Sequence, residues 1–92
     1  MMRTVEEVKM ELAAITWLIA GYQRDKSEWL ALMIEIDAMN FRCEKLGIAP
    51  VDNTNIAKYI LDAEKTIESG EALRNHLLME FQKVERQLRL FQ

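Results

Sequence analysis

Hydrophobic residues near the start of the chain recur at alternating spacings of three and four. They are Val5, Val8, Leu12, Ile15, Ile19 and Tyr22. This alternation places side chains on one face of an α-helix. Just before the pattern, the hydroxyl of Thr4 can cap a backbone amide of the first turn, and Glu7 follows three residues later. The pattern therefore predicts a helix that begins close to residue 4.

A seven-residue hydrophobic repeat extends this helix far along the chain. Its members are Val8, Ile15, Tyr22, Trp29, Ile36 and Cys43. The polar stretch 23–28 interrupts the apolar pattern and could hold a turn. A repeat that crosses the stretch without a slip favours one continuous helix instead. We therefore predict a first helical arm over about residues 4–46.

The strongest break follows this arm. Gly47 suits a left-handed helix end, Pro50 prevents continuation, and Asp52 or Asn53 can cap a new helix. Beyond it, a second seven-residue repeat comprises Ile56, Ala63, Gly70, Leu77, Val84 and Phe91. The sequence thus predicts a turn at 47–52 and a second arm over about residues 53–91.

Two such arms predict a single-domain, all-α antiparallel helical hairpin, with each arm about 60 Å long at 1.5 Å per residue. Folding back at residue 49 or 50 places Trp29 near Gly70, where the ring would face a residue without a side chain. A helix end at Gly70 is an equally weighted interpretation. If segments 21–28 and 69–71 both break, the helices are 4–20, 28–46, 53–69 and 71–91. The alternative fold is then a monomeric bundle of four short helices.

Hydrophobic residues are spread more widely than one partner helix can cover. The stretch from Leu12 to Tyr22 has only Thr16 as a polar residue. Such faces need more than one neighbour, which favours a homodimer of hairpins as a four-helix bundle. The predicted interface residues are Trp17, Leu18, Tyr22, Trp29, Leu30, Ile34 and Phe41. Trp17 is the first candidate, since tryptophan anchors binding sites disproportionately.

Charge and composition narrow the classes of function. The net charge is −3, and the calculated pI near 5.2 argues against nucleic acid as the main partner. Lys83, Arg86 and Arg89 are the candidate residues for phosphate contact in a nucleic-acid-binding alternative. Cys43 has no partner for an internal disulfide, and the chain starts on a charged helix rather than an apolar leader, so we expect a cytoplasmic protein. The longest apolar stretch is about half of a membrane span.

Candidate chemistry is sparse. His76 and Glu80 share a helix face at a spacing seen in metal sites, but no second such pair accompanies them. Cys43 lies on the apolar line, which predicts a buried thiol rather than a nucleophile. We expect no metal, no cofactor and no catalytic residue. The expected function is a non-catalytic, self-associating protein-interaction module, an adaptor, inhibitor or regulator with a protein partner. A small nucleic-acid-binding regulator is the alternative.

Overall fold

Two long helices make up almost all of the chain. The computed structural model describes residues 3–90, with α1 at Val5–Leu46 and α2 at Thr54–Leu90. The helices pack against each other as an extended hairpin that measures 75 × 16 × 13 Å. The predicted all-α hairpin is confirmed, although the last residues of the predicted second arm lie outside the described residues. The bundle of four short helices is wrong, because α1 runs through 21–28 and α2 through 69–71.

The polar stretch 23–28 is helical throughout, and two of its side chains have partners within the hairpin. The Ser27 hydroxyl donates a hydrogen bond of 3.1 Å to the carbonyl oxygen of Gln23 in its own helix. Lys26 lies half-buried on the face toward α2, where its ammonium group is 3.3 Å from a carboxylate oxygen of Glu64. Only Lys26 of this stretch is half-buried against α2, the other five residues are exposed, and the stretch forms no turn.

Both ends of α1 have the predicted caps. The Thr4 hydroxyl accepts a hydrogen bond of 3.2 Å from the Glu7 amide. Gly47 adopts a left-handed conformation with φ of 69° and donates to the carbonyl groups of Cys43 and Glu44. At the start of α2, the Asp52 carboxylate accepts hydrogen bonds from the amide and hydroxyl groups of Thr54.

The hydrophobic core is a single seam between the helices. α1 contributes Val8, Ile19 and Ile36, and α2 contributes Ile60, Ala63, Leu77 and Val84, all buried. These residues belong to the three-and-four pattern of each arm, as a coiled-coil seam requires. Because only one face of each helix is covered, the remaining hydrophobic residues stay outside the core.

The connection between the helices sets their register. Residues 47–53 lie outside both helices, and within them Val51 exchanges two hydrogen bonds with the Asn40 side chain, of 2.7 and 3.1 Å. If fully extended, residues 48–53 could cover up to about 20 Å, the rise of roughly 13 helical residues. The connection therefore runs back along the last turns of α1, and α2 begins well before the level at which α1 ends.

This register contradicts the predicted pairing of Trp29 with Gly70. The Trp29 ring packs on Tyr59, with ring centroids 5.1 Å apart. Gly70 lies opposite Ile19 instead, inside α2 and not at a helix end. Both predictions for Gly70 are wrong, because they assumed a symmetric turn and the connection retraces part of α1.

Cys43 is half-buried rather than buried. Asn40 already lies beside Val51, so Cys43 lies beyond the level at which α2 starts. Only the connection can cover it there, which explains the incomplete burial.

Candidate interaction surface

The hairpin exposes far more surface than a compact chain of its mass. Its accessible surface is 7400 Å² for 10.8 kDa. A folded monomer of this mass exposes about 5,500 Å² on the general scaling of surface with mass. Many large hydrophobic side chains on both helices are exposed, and two groups of them contain most of the predicted interface residues.

The first group forms an apolar edge where α1 and α2 meet. It comprises Trp17, Leu18 and Tyr22 from α1 with Tyr59 and Leu73 from α2, which are between 36% and 78% exposed. Trp17, Leu18 and Leu73 line one shallow groove of about 590 Å³. Tyr22 and Tyr59 line a second groove, together with Trp29. We call these five residues the apolar edge.

Beside the apolar edge, the outer side of α1 carries small residues around one large ring. Trp17 is 78% exposed. Its neighbours on this side are Ala13, Ala14, Ala20 and Gly21, and the three alanines are exposed. We call these five residues the Trp17 face. A shallow groove of about 390 Å³ runs along its second half, with Gly21 in its wall.

Charged residues close the far end of this groove. Arg24 and Asp25 follow directly after the apolar part of its lining. An apolar centre bordered by charged groups is the usual anatomy of a protein-binding patch.

The second group of exposed hydrophobic residues lies on another side of α1. Leu30, Ile34 and Phe41 are 42%, 71% and 60% exposed. At about 100° per residue, Ile34 points roughly 160° away from Leu18. We call Leu30, Ile34 and Phe41 the Ile34 stripe. Its Phe41 ring is partly engaged within the chain, since the Lys45 ammonium group lies 4.5 Å from the ring centroid.

The predicted interface residues therefore do not form one surface. The structure brings Trp17, Leu18 and Tyr22 together on the apolar edge and places the Ile34 stripe elsewhere. Trp29 differs from both groups, because it is half-buried and packs on Tyr59 within the chain.

These surfaces include further residues that the sequence analysis did not name as interface residues. Tyr59 and Leu73 complete the apolar edge from α2, and Gly21 lies in the groove of the Trp17 face. A signal for the α2 pair was present, because residues two heptads apart share a helix face. Which α1 residues they meet depends on the register, which the turn decides.

A cluster of charges ties the N-terminal end of α1 to α2. The Arg3 guanidinium forms ion pairs with Glu80 and Glu11, and its Nε donates a hydrogen bond of 2.7 Å to Glu80. These contacts lower the pKa of the Glu80 carboxyl group, chiefly through the hydrogen bond from Arg3. Glu80 is thereby engaged in holding the two helices together.

His76 and Glu80, the pair at a spacing seen in metal sites, belong to no cluster of possible metal ligands among residues 3–90. His76 is exposed on α2, and Glu80, one turn later, is paired with Arg3. Within residues 3–90, no three His, Cys, Asp or Glu side chains converge in a group that could hold a metal ion.

The basic residues near the end of α2 form no concentrated patch. Lys83, Arg86 and Arg89 are all exposed. Arg89 lies 3.3 Å from the Glu85 carboxylate, so part of its charge is compensated within the helix.

No stretch of either described helix is long and apolar enough to cross a membrane. No protein-family model matches the chain, and no curated protein or solved structure is significantly similar to it.

Proposed function

We propose that the chain is a self-associating, non-catalytic helical module that works through protein contacts, as an adaptor, inhibitor or regulator. The observation that carries this proposal is the exposed hydrophobic surface of the hairpin. The chain exposes 7400 Å² in total, about 1,900 Å² more than a compact monomer of the same mass, and large hydrophobic side chains form part of this exposed surface.

This excess is large on the scale of protein interfaces. A stable complex of standard size buries about 800 Å² on each partner. Large hydrophobic residues exposed in contiguous patches mark sites of association. The apolar edge and the Trp17 face supply such a patch, with a tryptophan and two tyrosines, the residue types that dominate binding energies.

Nucleic-acid binding through Lys83, Arg86 and Arg89 is the second candidate, and less supports it. Arg89 is already paired with Glu85, and the chain as a whole is acidic. A phosphate-binding surface needs uncompensated positive charge that displaces counterions.

Light scattering coupled to gel filtration tests the proposal. We expect the mass of a dimer at tens of micromolar protein and a melting temperature that rises with protein concentration. A monomer at all concentrations that also binds duplex DNA with a steep salt dependence would favour the second candidate.

A further inference from the structure

Gly21 lies inside the long helix α1, and no close contact within the hairpin requires a glycine at this position. Glycine destabilises a helix interior relative to alanine. A Cβ atom built on Gly21 would meet nothing within 4 Å apart from its own helical surroundings, among residues 3–90. The chain therefore tolerates an unfavourable residue at a position where its own packing leaves room for a larger one.

Glycine in a regular element often marks a close approach by another backbone or ligand. Gly70 shows this use within the hairpin, since a Cβ there would lie 2.9 Å from the Ile19 Cγ1 atom. No atom of residues 3–90 makes such an approach at Gly21, so a group that approached it would belong to another molecule. The groove that contains Gly21 also contains Trp17, which is one helical turn earlier and 78% exposed.

The geometry points to a second copy of this chain as the occupant of the Trp17 face, in an antiparallel crossing of the two α1 helices centred near residue 19. This inference rests on the proposed self-association and specifies its contact. Residues 17 and 21 are equally far from residue 19, so a two-fold axis there brings Trp17 of each copy to Gly21 of the other. Such reciprocity is what a symmetric dimer interface requires.

The composition of the Trp17 face suits this crossing. Ala13, Ala14 and Ala20 flank the ring, and small residues allow two helices to approach closely. Each copy offers both the protruding ring and the shallow groove that receives it, so the face is complementary to itself. The surplus of about 1,900 Å² over a compact monomer exceeds the roughly 800 Å² that each partner buries in a stable interface.

Charged residues are compatible with the antiparallel direction. In this alignment Arg24 of one copy lies level with Ala14 of the other, about one helical turn from that copy's Glu11. In residues 3–90, no carboxylate forms a salt bridge with Arg24 in the isolated hairpin. The crossing therefore brings this cation within about one helical turn of the level of Glu11 in the second copy, a carboxylate that also pairs with Arg3 of its own chain.

The test is the oligomeric state of Gly21→Leu beside its matched control Ala72→Leu. Ala72 is exposed on α2 and lines none of the grooves described above, so it controls for added hydrophobic bulk. Because a Cβ at Gly21 has open space, the variant keeps its helix content by circular dichroism. We expect Gly21→Leu to raise the dimer dissociation constant by about tenfold or more, which corresponds to about 1.4 kcal/mol. Ala72→Leu should leave the constant unchanged.

A cross-linking experiment gives an independent measurement. The variant is Ala20→Cys in a Cys43→Ser background, which lies close to the level of the two-fold axis. A disulfide needs Cα atoms about 4.4–6.8 Å apart, and two copies of residue 20 can approach each other this closely near the axis. Mild oxidation should produce a covalent dimer. Ile34→Cys lies about 22 Å along α1 from the level of the axis, too far for its symmetry mate, and should stay monomeric in denaturing gels.

The outcomes separate this inference from the proposed function. A dimer that persists in Gly21→Leu, cross-links through Ile34→Cys and dissociates in Ile34→Ser would overturn the Trp17 crossing and leave self-association standing. A wild-type chain that is monomeric at all concentrations would overturn both. A dimer that is weakened by Gly21→Leu and cross-linked through Ala20→Cys supports both.

Discussion

Two glycines inside the helices differ in their surroundings, since one is packed against the other helix and one has open space beside it. The contrast distinguishes residues that hold the hairpin together from residues available for contact with another molecule. Gly70 is buried, and a side chain there would press against Ile19 at 2.9 Å. Gly21 lies on the outer side of α1 with open space around its missing Cβ. Glycine in a helix interior is less favourable than alanine by roughly 0.5–1 kcal/mol. Close packing of the two helices offsets this at Gly70, and nothing within the described hairpin offsets it at Gly21.

The largest effect is expected where the glycine is buried. Gly70→Leu would push a side chain into Ile19 and separate the two helices near the middle of the seam. Overpacking of this kind costs typically 1–3 kcal/mol, so we expect the free energy of unfolding to fall by about 3 kcal/mol. Urea denaturation followed by circular dichroism at one fixed protein concentration measures it.

Ala72→Leu is the control for this variant, because position 72 is exposed only two residues further along α2. Its stability should stay close to that of the wild type. Equal stability of Gly70→Leu and the wild type would mean that the seam has room at this level, and the contrast between the two glycines would disappear.

The next effect concerns association rather than folding. Trp17→Ala removes the ring of the Trp17 face, which is 78% exposed in the hairpin. We expect it to weaken association by about 2 kcal/mol, the scale of an interface hot spot, while helix content stays nearly constant. Ile34→Ala, at 71% exposure and 17 residues further along α1, is the matched comparison for loss of an exposed hydrophobic side chain.

Analytical ultracentrifugation over a range of concentrations gives both dissociation constants. If Trp17→Ala unfolds the chain instead, the ring belongs to the stability of the hairpin and not to its contacts. If only Ile34→Ala weakens association, the Ile34 stripe is the contact surface.

A smaller effect of opposite sign is expected at Gly21, the half-buried glycine. Gly21→Ala adds a better helix former without meeting any described atom. At concentrations where light scattering shows a monomer, it should raise the free energy of unfolding by about 1 kcal/mol. A loss of stability in the monomer would mean that position 21 is restricted within the hairpin itself, which would remove the reason for seeking a second chain there.

The smallest expected effect is a pH dependence of stability that arises from the ion pair between Arg3 and Glu80, at the end of the seam beyond Gly70. The Arg3 guanidinium lowers the pKa of the Glu80 carboxyl group from its ordinary value of 4.5. A carboxyl group with a lowered pKa in the folded state stabilises that state above its unfolded pKa, and the contribution is lost as the pH falls through the folded value. The melting temperature should therefore decline below about pH 4.5 through this pair.

Glu80→Gln should make that decline shallower, while Glu68→Gln, at an exposed position of α2, should reproduce the wild-type profile. Identical profiles for all three proteins would show that the pair with Arg3 contributes nothing measurable. Both carboxyl groups are partly or fully open to solvent, which keeps the expected difference small.

The sequence by itself determined the elements of this protein. The repeats at three and four residues identified both helices, and Thr4, Gly47 and Pro50 located their ends, because helix periodicity and capping are local properties. The position of Trp17 between Ala13 and Ala20, off the seam, was also readable, and its 78% exposure agrees with that position.

Only the tertiary structure decided the register and therefore which residues meet across the hairpin. Both faces of each helix follow from its sequence, but the level of α2 relative to α1 depends on how far residues 47–53 run back, as the hydrogen bonds between Asn40 and Val51 show. Because of that distance, Trp29 packs on Tyr59 and not near Gly70 as predicted, and Leu73 lies beside Leu18 and Trp17. The structure also shows that Gly70 allows close packing in the seam and that Gly21 does not. The sequence cannot show this difference, because the role of a glycine depends on the atoms that surround it in the folded chain.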